Sequence, residues 1–457
     1  MQPVSWPQPV QKNDSPQRHR GHRGRRKTRA GKKIHFIESI FGDRFLLEAF
    51  SVSSVPLWRK NIEMKPNIDQ CIKCSICNAY CPVLKATGLF PGPKLAGPDA
   101  ERFRLQRKAI PSEWLEYCDY CKICERVCPQ NVPIADLHIK SRLAWKKTRK
   151  PPLRDWLLGH AYILQKLGAW ATPISNWVFG WGFFRWLLDR GMGIARGTPM
   201  PAYRRRTFAQ RFKSHSRGKG PPIAYFHGCY TNYIDPDLGL TAVEVLEKNG
   251  FQVHLPRQEC CGLPLISNGF FDLASGLGKK NLESLRKTID DGTEVVFTSP
   301  SCGMTLKEEY ETILKLPGAS LLKDHVFEIC QFLLQLYEEG KLNTRFQEVR
   351  ETLHYHVPCH LRALKIGLPA LELLSLVPGL RVIELPEGCC GLAGSYGYKR
   401  EKYAIAREVG EDLFQVIRES KARTVISDCE ACRMQIGHHT GVKTLHTVEV
   451  LRRAYGA

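Results

Sequence analysis

The sequence predicts a multidomain α+β chain with an N-terminal α-helical domain, a basic tryptophan-rich helical linker and two repeated α/β domains. Three observations predict this class. The length of 457 residues corresponds to about three domains. Two cysteine-rich runs near the N-terminus are copies at an offset of 47 residues, and the second half of the chain repeats itself at an offset of about 130. Hydrophobic residues make up 43% and charged residues 25%, which excludes a chain that is disordered throughout.

The net charge of +22 is unevenly distributed over the predicted domains. These domains are a basic disordered extension (1–63), the first cysteine domain (64–144), the linker (145–220), the first repeat (221–345) and the second repeat (346–457). The extension carries about +8 and residues 140–219 about +16, whereas residues 220–457 carry about −4. Residues 15–33 hold nine Lys or Arg, no acid and no apolar periodicity, which predicts disorder. A nucleic-acid arm and a dispensable extension both fit it, but we expect no nucleic-acid partner.

Eighteen cysteines are many for a chain in which no secretory signal is visible. Without export they stay reduced, so metal or redox chemistry is favoured over a disulfide framework. No stretch of 18 or more purely apolar residues occurs, so a membrane-spanning helix is not expected.

Two copies of a Cys-x2-Cys-x2-Cys-x3-Cys-Pro run occupy residues 71–82 and 118–129. This is the bacterial ferredoxin run, in which three closely spaced thiolates hold one 4Fe-4S cluster and the fourth serves the other cluster. The predicted ligands of cluster 1 are Cys71, Cys74, Cys77 and Cys128. Those of cluster 2 are Cys118, Cys121, Cys124 and Cys81. Structural zinc is the alternative, but the proline after each fourth cysteine and the duplication favour iron.

A helical insert is predicted between the two runs. Residues 90–98 are rich in Pro and Gly and indicate a loop, and Asp99 is placed to cap a helix that starts near Ala100. A second helix is predicted over residues 133–147 after the second run. This pattern favours an α-helical ferredoxin-like domain over a β-rich one.

The repeat in the second half combines matching sequence with matching cysteines. The offsets are 130, 129 and 130 for Cys229/Cys359, Cys260/Cys389 and Cys302/Cys432, which indicates two copies of one domain. Each copy predicts a strand, a helix, a strand, a Cys-Cys-Gly turn, a helix, a strand and a cysteine loop. Apolar runs such as VVFT and TVIS are typical of buried parallel strands, so each copy is predicted to be α/β.

These repeats resemble the cysteine-rich CCG domains of heterodisulfide reductase and its relatives, in which five cysteines hold a noncubane 4Fe-4S cluster. The second copy matches the full set, namely Cys359, Cys389, Cys390, Cys429 and Cys432. The first copy keeps Cys229, Cys260, Cys261 and Cys302, but Ser299 stands where the fifth cysteine belongs. Because a serine oxygen is a poor iron ligand beside thiolates, the resemblance implies a cluster in the second copy and a degenerate site in the first. Cys330 is interpreted as a core residue.

The segments FPGPKLAGPDAERFR (90–104), YFHGCYTNYIDPDLG (225–239), CCGLPLISNGFFDLA (260–274) and CCGLAGSYGYKRE (389–401) resemble the family of iron–sulfur subunits of anaerobic glycerol-3-phosphate dehydrogenase. The resemblance covers about residues 64–457. It implies an electron-transfer subunit that takes electrons from flavoprotein dehydrogenase subunits and passes them towards the membrane quinone pool. The alternatives are an iron–sulfur subunit of a glycolate or lactate oxidase and a heterodisulfide-reductase-like thiol–disulfide enzyme.

The linker holds six of the nine tryptophans, Trp145, Trp156, Trp170, Trp177, Trp181 and Trp186, among clusters of Lys and Arg. Aromatic helices flanked by cations are typical of segments at an anionic lipid surface. We therefore expect peripheral contact with the cytoplasmic face of the inner membrane. The alternative is a helical linker packed on the protein, or a docking face for the dehydrogenase subunits.

No G-x-G-x-x-G follows a predicted strand, and no Walker loop or Ser-His-Asp motif is apparent. A dinucleotide fingerprint is thus missing from the sequence. We expect this chain to bind no flavin or NAD and to contain no catalytic residues of its own.

Overall fold

The structure is a computed structural model that describes residues 70–106, 113–146, 149–215, 218–386 and 388–456. These residues belong to one compact unit that spans 66–457. The predicted basic extension over residues 1–63 lies outside the described residues.

Short helices surround the two cysteine runs. They are α1 (Ile76–Ala79), α2 (Pro82–Ala86), α3 (Ala100–Leu105), α4 (Ile123–Arg126) and α5 (Ile134–Lys146). A π-helical turn over Leu95–Asp99 leads directly into α3, and a 3-10 turn spans Glu113–Tyr117.

Two helices of this region test the expectations closely. Helix α5 forms where the sequence predicts it, and α3 begins at Ala100 as expected. The predicted cap is wrong, because Asp99 is itself helical and makes no capping hydrogen bond. Its carboxylate instead accepts from the Arg102 guanidinium at 2.6 Å.

The linker is helical, as α6 (Leu153–Gly159), α7 (Ala161–Trp170), α8 (Ile174–Gly180), α9 (Gly182–Leu187) and α10 (Phe208–Lys213). A π-helical turn over Leu188–Met192 extends α9. Helix α10 starts with a capping box, in which Thr207 and Gln210 each accept a backbone N–H of the other. Across the five described ranges, no helix combines the length and the apolar character needed to cross a bilayer.

The first repeat is a four-stranded parallel sheet with the order β2-β1-β3-β4. Its strands are β1 (Pro222–Phe226), β2 (Gln252–His254), β3 (Val295–Phe297) and β4 (Val326–Glu328). Its helices are α11 (Gly228–Tyr233), α12 (Pro236–Lys248), α13 (Leu263–Asn268), α14 (Phe271–Asp290), α15 (Pro300–Met304), α16 (Tyr310–Thr312), α17 (Leu321–His325) and α18 (Ile329–Glu338), with a π-helical turn over Thr305–Glu309.

The second repeat has the same topology, with a parallel sheet ordered β6-β5-β7-β8. Its strands are β5 (Thr352–Tyr355), β6 (Arg381–Glu384), β7 (Thr424–Ile426) and β8 (Lys443–Leu445). Its helices are α19 (Cys359–Ala363), α20 (Pro369–Ser375), α21 (Arg400–Glu419), α22 (Glu430–Thr440) and α23 (Thr447–Ala454). The buried parallel strands predicted from VVFT and TVIS are present, and each sheet has a fourth strand that the sequence pattern did not indicate.

The two repeats pack on each other reciprocally. Helix α12 of the first repeat contacts α23 of the second, and α18 contacts α20, which are the equivalent elements with the repeats exchanged. One hydrophobic core runs through this contact and includes Tyr225 and its equivalent Tyr355, both fully buried. Such exchange of equivalent surfaces describes a pseudo-twofold pair within one chain. Cys330 lies in this core with no exposed surface, as interpreted from the sequence.

A buried charge cluster joins the first cysteine domain, the linker and the second repeat. Glu116 of the 3-10 turn contacts Arg142, Lys146 and Lys402 at 3.1–3.5 Å. Burial alone would raise the pKa of Glu116, but these cations hold that pKa well below its usual range.

Asp155 of α6 extends the cluster through Lys399, with 2.9 Å between Oδ1 and Nζ, and through Lys146 at 3.3 Å. Burial lowers the pKa of Lys399 to about 8 even though Asp155 opposes that shift. Because breaking one partner of a buried ion pair leaves an uncompensated charge, this cluster holds the three parts in one arrangement.

Candidate metal centres

The two cysteine runs adopt matching backbones. Lys73 and Ser75 in the first run have positive φ values of 59° and 64°, and Tyr120 and Lys122, 47 residues later, have 61° and 59°. Residues with side chains rarely occupy this left-handed region. The repeated conformation turns the loop back on itself, so that successive cysteine side chains reach the same side of the loop.

The structure brings the predicted ligands of cluster 1 around one cavity. Its lining includes Cys71, Cys74, Cys77 and Cys128, with Ile134 of α5 behind them. Burial, with smaller contributions from the neighbouring thiols of this set, raises the pKa of Cys77 to about 11. The fourth cysteine of the second run therefore lies with the first three of the other run.

The predicted ligands of cluster 2 surround a second cavity, whose other walls are mainly apolar and include Val83 and Phe90. The cysteines are Cys81, Cys118, Cys121 and Cys124. Burial raises the pKa of Cys81 to about 12 and those of the other three well above their usual value. Buried thiols of this kind become thiolates when a metal binds them.

Thiol rings around cavities suit clusters better than single ions. Within the ranges that the structure describes, no three His, Cys, Asp or Glu side chains converge as ligands of one metal ion. In a 4Fe-4S cluster each thiolate binds a different iron, so the ligands enclose a space. Four soft sulfur donors around each cavity are the chemistry that iron–sulfur clusters prefer, so the residues present fit this group.

The CCG cysteines follow the carboxyl ends of three neighbouring strands in each repeat. In the second repeat, β5 leads to Cys359, β6 to the Cys389–Cys390 pair and β7 to Cys429. Ligand sites of parallel α/β sheets form at this edge because the loops there converge. The order of the strands in the sheet, β6-β5-β7, therefore brings the five thiols together.

The five thiols of the second repeat form a connected group. Cys389 forms hydrogen bonds with Cys359 and Cys390, and Cys432 forms hydrogen bonds with Cys390 and Cys429. All are buried except Cys359, which is half-buried. Hydrogen bonds from Cys389 and Cys432 hold the pKa of Cys390 well below its usual value.

The first repeat brings only four thiols together. Cys229 and Cys260 are 4.0 Å apart between sulfur atoms, and Cys261 contacts both Cys260 and Cys302. Ser299 occupies the position equivalent to Cys429, at the N-terminus of α15. Its hydroxyl donates to Glu430 Oε1 at 2.9 Å and accepts the Cys302 N–H at 3.4 Å, so it is engaged with the neighbouring repeat.

The cysteine groups lie in series. The thiol of Cys77 in the first cavity lies close enough to Cys124 in the second cavity to raise the pKa of Cys124. Cys121 of the second cavity is close to Cys359, and Asp119 Oδ2 lies 3.5 Å from the Cys389 sulfur. The thiols of the second repeat therefore adjoin those of the second cavity. The first repeat, although it precedes the second in the sequence, packs against the first cysteine domain through Met304 beside Tyr120 and Ile139.

His360 connects three of these groups. Its Nε2 lies 3.4 Å from the carbonyl oxygen of Tyr120, which precedes Cys121, and its Nδ1 lies 3.0 Å from the hydroxyl of Ser301, which precedes Cys302. Burial lowers the pKa of His360 to about 4, so the ring is neutral at pH 7. Since a carbonyl only accepts, Nε2 donates to Tyr120 and Nδ1 accepts from Ser301.

The sequence interpretation missed Asp119, Ser301 and His360. Each stands directly beside a predicted cysteine ligand, and an acidic residue inside a thiolate run is an unusual choice because both carry negative charge. Their position beside a cysteine could have marked these three residues in the sequence. Their partners could not be predicted, because each partner comes from a different part of the chain.

Five of the six linker tryptophans are exposed. Trp170 is 84% exposed and Trp177 68%, and Trp156, Trp181 and Trp186 are between 43% and 50% exposed. Trp145 differs, because it packs partly buried beside the cluster 2 cysteines. The described part of the linker thus presents a large apolar surface, here called the aromatic face, which consists of the exposed side chains of α7–α9.

Comparison with known proteins agrees with this architecture. Residues 67–132 match a 4Fe-4S dicluster domain, and residues 223–307 and 353–437 each match a cysteine-rich domain named CCG.

Relatives of full length are also found. Over 393 residues, the chain is 36% identical to the anaerobic glycerol-3-phosphate dehydrogenase subunit designated C of Escherichia coli K12, covering 85% of this chain and 98% of the relative. It is 27% identical to a fumarate reductase (CoM/CoB) subunit of Methanothermobacter marburgensis, over 84% of this chain and 72% of the relative. Lactate utilization protein A of Oceanobacillus iheyensis is 31% identical, but matches only 50% of this chain. The extent of the first of these matches shows that the chain belongs to the family of this anaerobic glycerol-3-phosphate dehydrogenase subunit.

Proposed function

We propose that this chain is the electron-transfer iron–sulfur subunit of a quinone-linked dehydrogenase, in which flavoprotein subunits oxidise glycerol 3-phosphate. The observation that carries the proposal is the serial arrangement of the cysteine groups, which runs from the first cavity through the second cavity and the second repeat to the first repeat. A series of neighbouring redox sites suits the transport of electrons through a protein.

In this proposal two 4Fe-4S clusters occupy the two cavities with the cross-paired cysteines, and a noncubane 4Fe-4S cluster occupies the five-cysteine group of the second repeat. When bound, these groups supply one-electron redox chemistry. The chain positions their thiolates, excludes water from them by apolar walls, and holds Asp119 and His360 between successive groups. The first repeat, with four thiols, is the degenerate member of the series.

The aromatic face supports contact with a membrane. We infer that it lies against the anionic inner face of the membrane as a peripheral surface. Exposed tryptophans favour the headgroup region of a bilayer, and the exposed Arg204, Arg205 and Arg206 follow the same helices in the chain. Each cation near such a surface contributes roughly 1 kcal/mol. The alternative is that the flavoprotein subunits cover this face. Binding of the chain alone to lipid vesicles would favour the membrane over these subunits.

The decisive experiment combines iron analysis with reduction by substrate. The anaerobically purified chain should contain iron and sulfide, and its iron–sulfur absorbance should bleach with glycerol 3-phosphate only when the flavoprotein subunits are added. Zinc in place of iron, or reduction by substrate in the chain alone, would refute the proposal. Replacement of glycerol 3-phosphate by glycolate or lactate tests the hydroxy acid alternative.

A thiol–disulfide enzyme is the second candidate, because the second repeat has the complete five-cysteine group and the chain is similar to a fumarate reductase (CoM/CoB) subunit. The cavity that Cys359 lines has room of only about 20 Å³, which is enough for about one water molecule. A disulfide substrate therefore needs this site to open. Turnover of a heterodisulfide by the purified chain would favour this candidate.

A further inference from the structure

The cysteine group of the first repeat is the last in the series, and it adjoins a cavity of about 480 Å³. Electrons that pass along the series would leave the chain at this group. Pockets for small organic molecules span roughly 300–1,000 Å³, so this cavity is large enough for one. Cys229 and Cys260 form part of its wall, so a molecule bound there contacts the thiol group directly.

The cavity lies between that thiol group and the aromatic face. Helix α7 supplies one wall through Tyr162, Ile163, Lys166, Leu167 and Trp170. Leu167 is 56% and Trp170 84% exposed, so these side chains belong both to the cavity and to the aromatic face. A ligand dissolved in a bilayer can therefore enter the cavity without crossing water, if the aromatic face contacts the membrane.

The lining combines apolar and aromatic side chains with a few polar groups. The Tyr162 hydroxyl is an O–H donor, and the Lys166 ammonium is a second donor on the same helix. A phenol keeps its proton at pH 7, so Tyr162 remains a donor. Donors of this kind are suited to carbonyl oxygens on a flat ring that packs against aromatic side chains.

We propose that this cavity binds the head group of a lipid-soluble quinone beside the thiol group of the first repeat, with Tyr162 and Lys166 as donors to its carbonyl oxygens. This inference rests on the proposed function, because the flavoprotein subunits supply the two electrons that convert the quinone to the quinol. The two protons come from solvent at the exposed mouth of the cavity. In this proposal the four-cysteine group of the first repeat is the site at which electrons leave the chain for the quinone.

The test uses a short-chain naphthoquinone and the full-length, iron-loaded protein in buffer without lipid, with bound quinone measured by equilibrium dialysis. Leu167→Trp fills the cavity, and Leu187→Trp is the matched control, since Leu187 is similarly exposed on the aromatic face at 49% but does not line the cavity. We expect saturable binding at one site, at least tenfold weaker binding in Leu167→Trp, and unchanged binding in Leu187→Trp. Tyr162→Phe should weaken binding about threefold to tenfold.

Two results would overturn the inference. One is equal binding by the wild type and Leu167→Trp. The other is equal binding of a naphthalene that lacks carbonyl groups, which would show an apolar site without quinone recognition. Iron content and bleaching by dithionite are measured on the same samples. If these are normal while the quinone binds elsewhere, this inference fails and the proposed function stands. If the wild type contains no iron, the proposed function fails independently of quinone binding.

Discussion

The Ser299 hydroxyl donates a hydrogen bond of 2.9 Å to Glu430 Oε1, and this contact connects the two repeats at the edges that carry their cysteines. Ser299 stands where the first repeat lacks its fifth cysteine, and Glu430 follows Cys429, which is the equivalent cysteine of the second repeat. The two positions have similar backbones, with φ and ψ of −103° and 109° at Ser299 and −98° and 125° at Cys429.

Because the backbones agree, Ser299→Cys should complete the first cysteine group without distorting the loop. We predict that the variant gains iron and sulfide relative to the wild type. Anaerobic iron and sulfide analysis measures this, with Ser299→Ala as the control that removes the hydrogen bond but adds no thiol. Equal iron in Ser299→Cys and the wild type would contradict the prediction.

The cross-pairing of the two runs predicts which cluster a single substitution damages. Cys81→Ser should disrupt the cluster of Cys118, Cys121 and Cys124 and cost roughly four irons per chain, because the Cys81 sulfur lies in that cavity. Cys77→Ser should affect the other cluster. EPR spectra of the reduced variants separate the two, and loss of the first run's signal alone in Cys81→Ser would show that each run binds its own cluster.

Membrane binding should have a salt-sensitive and a salt-resistant part. Cations on the linker account for the first, which weakens as salt screens them, and the tryptophans of the aromatic face account for the second. Replacing Trp177, Trp181 and Trp186 with Ala should remove the salt-resistant fraction in vesicle flotation with anionic lipid.

Tyr337→Ala serves as the control for this triple variant, since Tyr337 is an aromatic residue of α18 with the same 43% exposure as Trp186. Removal of residues 1–63 should leave flotation unchanged. If the shortened chain stays in solution while the full-length chain floats, the basic extension is the membrane anchor.

The buried charge cluster predicts a large effect of a small substitution. Asp155→Asn removes the carboxylate that pairs with Lys399 and leaves Lys146 paired with Glu116 alone. Stability should therefore fall by about 3–5 kcal/mol, as for other broken buried pairs. The exposed pair of Glu339 and Lys341 offers a control, because solvent screens this pair and Glu339→Gln should leave stability nearly unchanged. Thermal unfolding of the anaerobic proteins measures both effects. Equal unfolding midpoints of the wild type and Asp155→Asn would show that the charge cluster contributes little to stability.

The pH dependence of this difference follows from the pKa of Asp155. Burial raises that pKa, but Lys399 and Lys146 lower it more strongly, to about 2, compared with about 3.9 in an unfolded chain. A lowered carboxylate pKa stabilises the fold above pH 4, and this contribution is lost as the pH falls towards 2. The contribution of Asp155 to the difference in stability between wild type and Asp155→Asn should therefore shrink as the pH falls from about 4 towards 2, which thermal unfolding at several pH values measures.

Periodicity and spacing were sufficient for the local features of this protein. The offset of 47 residues predicted two matched cysteine loops, and the offset of about 130 predicted two copies of one α/β domain, because both repeats preserve short-range sequence together with their cysteines. The start of α3 was also predictable, whereas the role of Asp99 was not. The Asp99 carboxylate could accept a hydrogen bond either from the backbone N–H groups of α3 or from the Arg102 guanidinium, and in the structure it accepts from Arg102.

The sequence by itself determined which cysteines form repeated sets, since the identity and spacing of cysteines are local properties of the chain. Only the tertiary structure decided the order in which they meet. The thiols of the second repeat adjoin those of cluster 2, and the thiols of the first repeat face the 480 Å³ cavity beside the aromatic face. The reciprocal packing of the two repeats and the buried Glu116 and Asp155 cluster set that order. Both depend on contacts between residues more than 200 positions apart, such as Lys402 with Glu116, and no local pattern encodes such contacts.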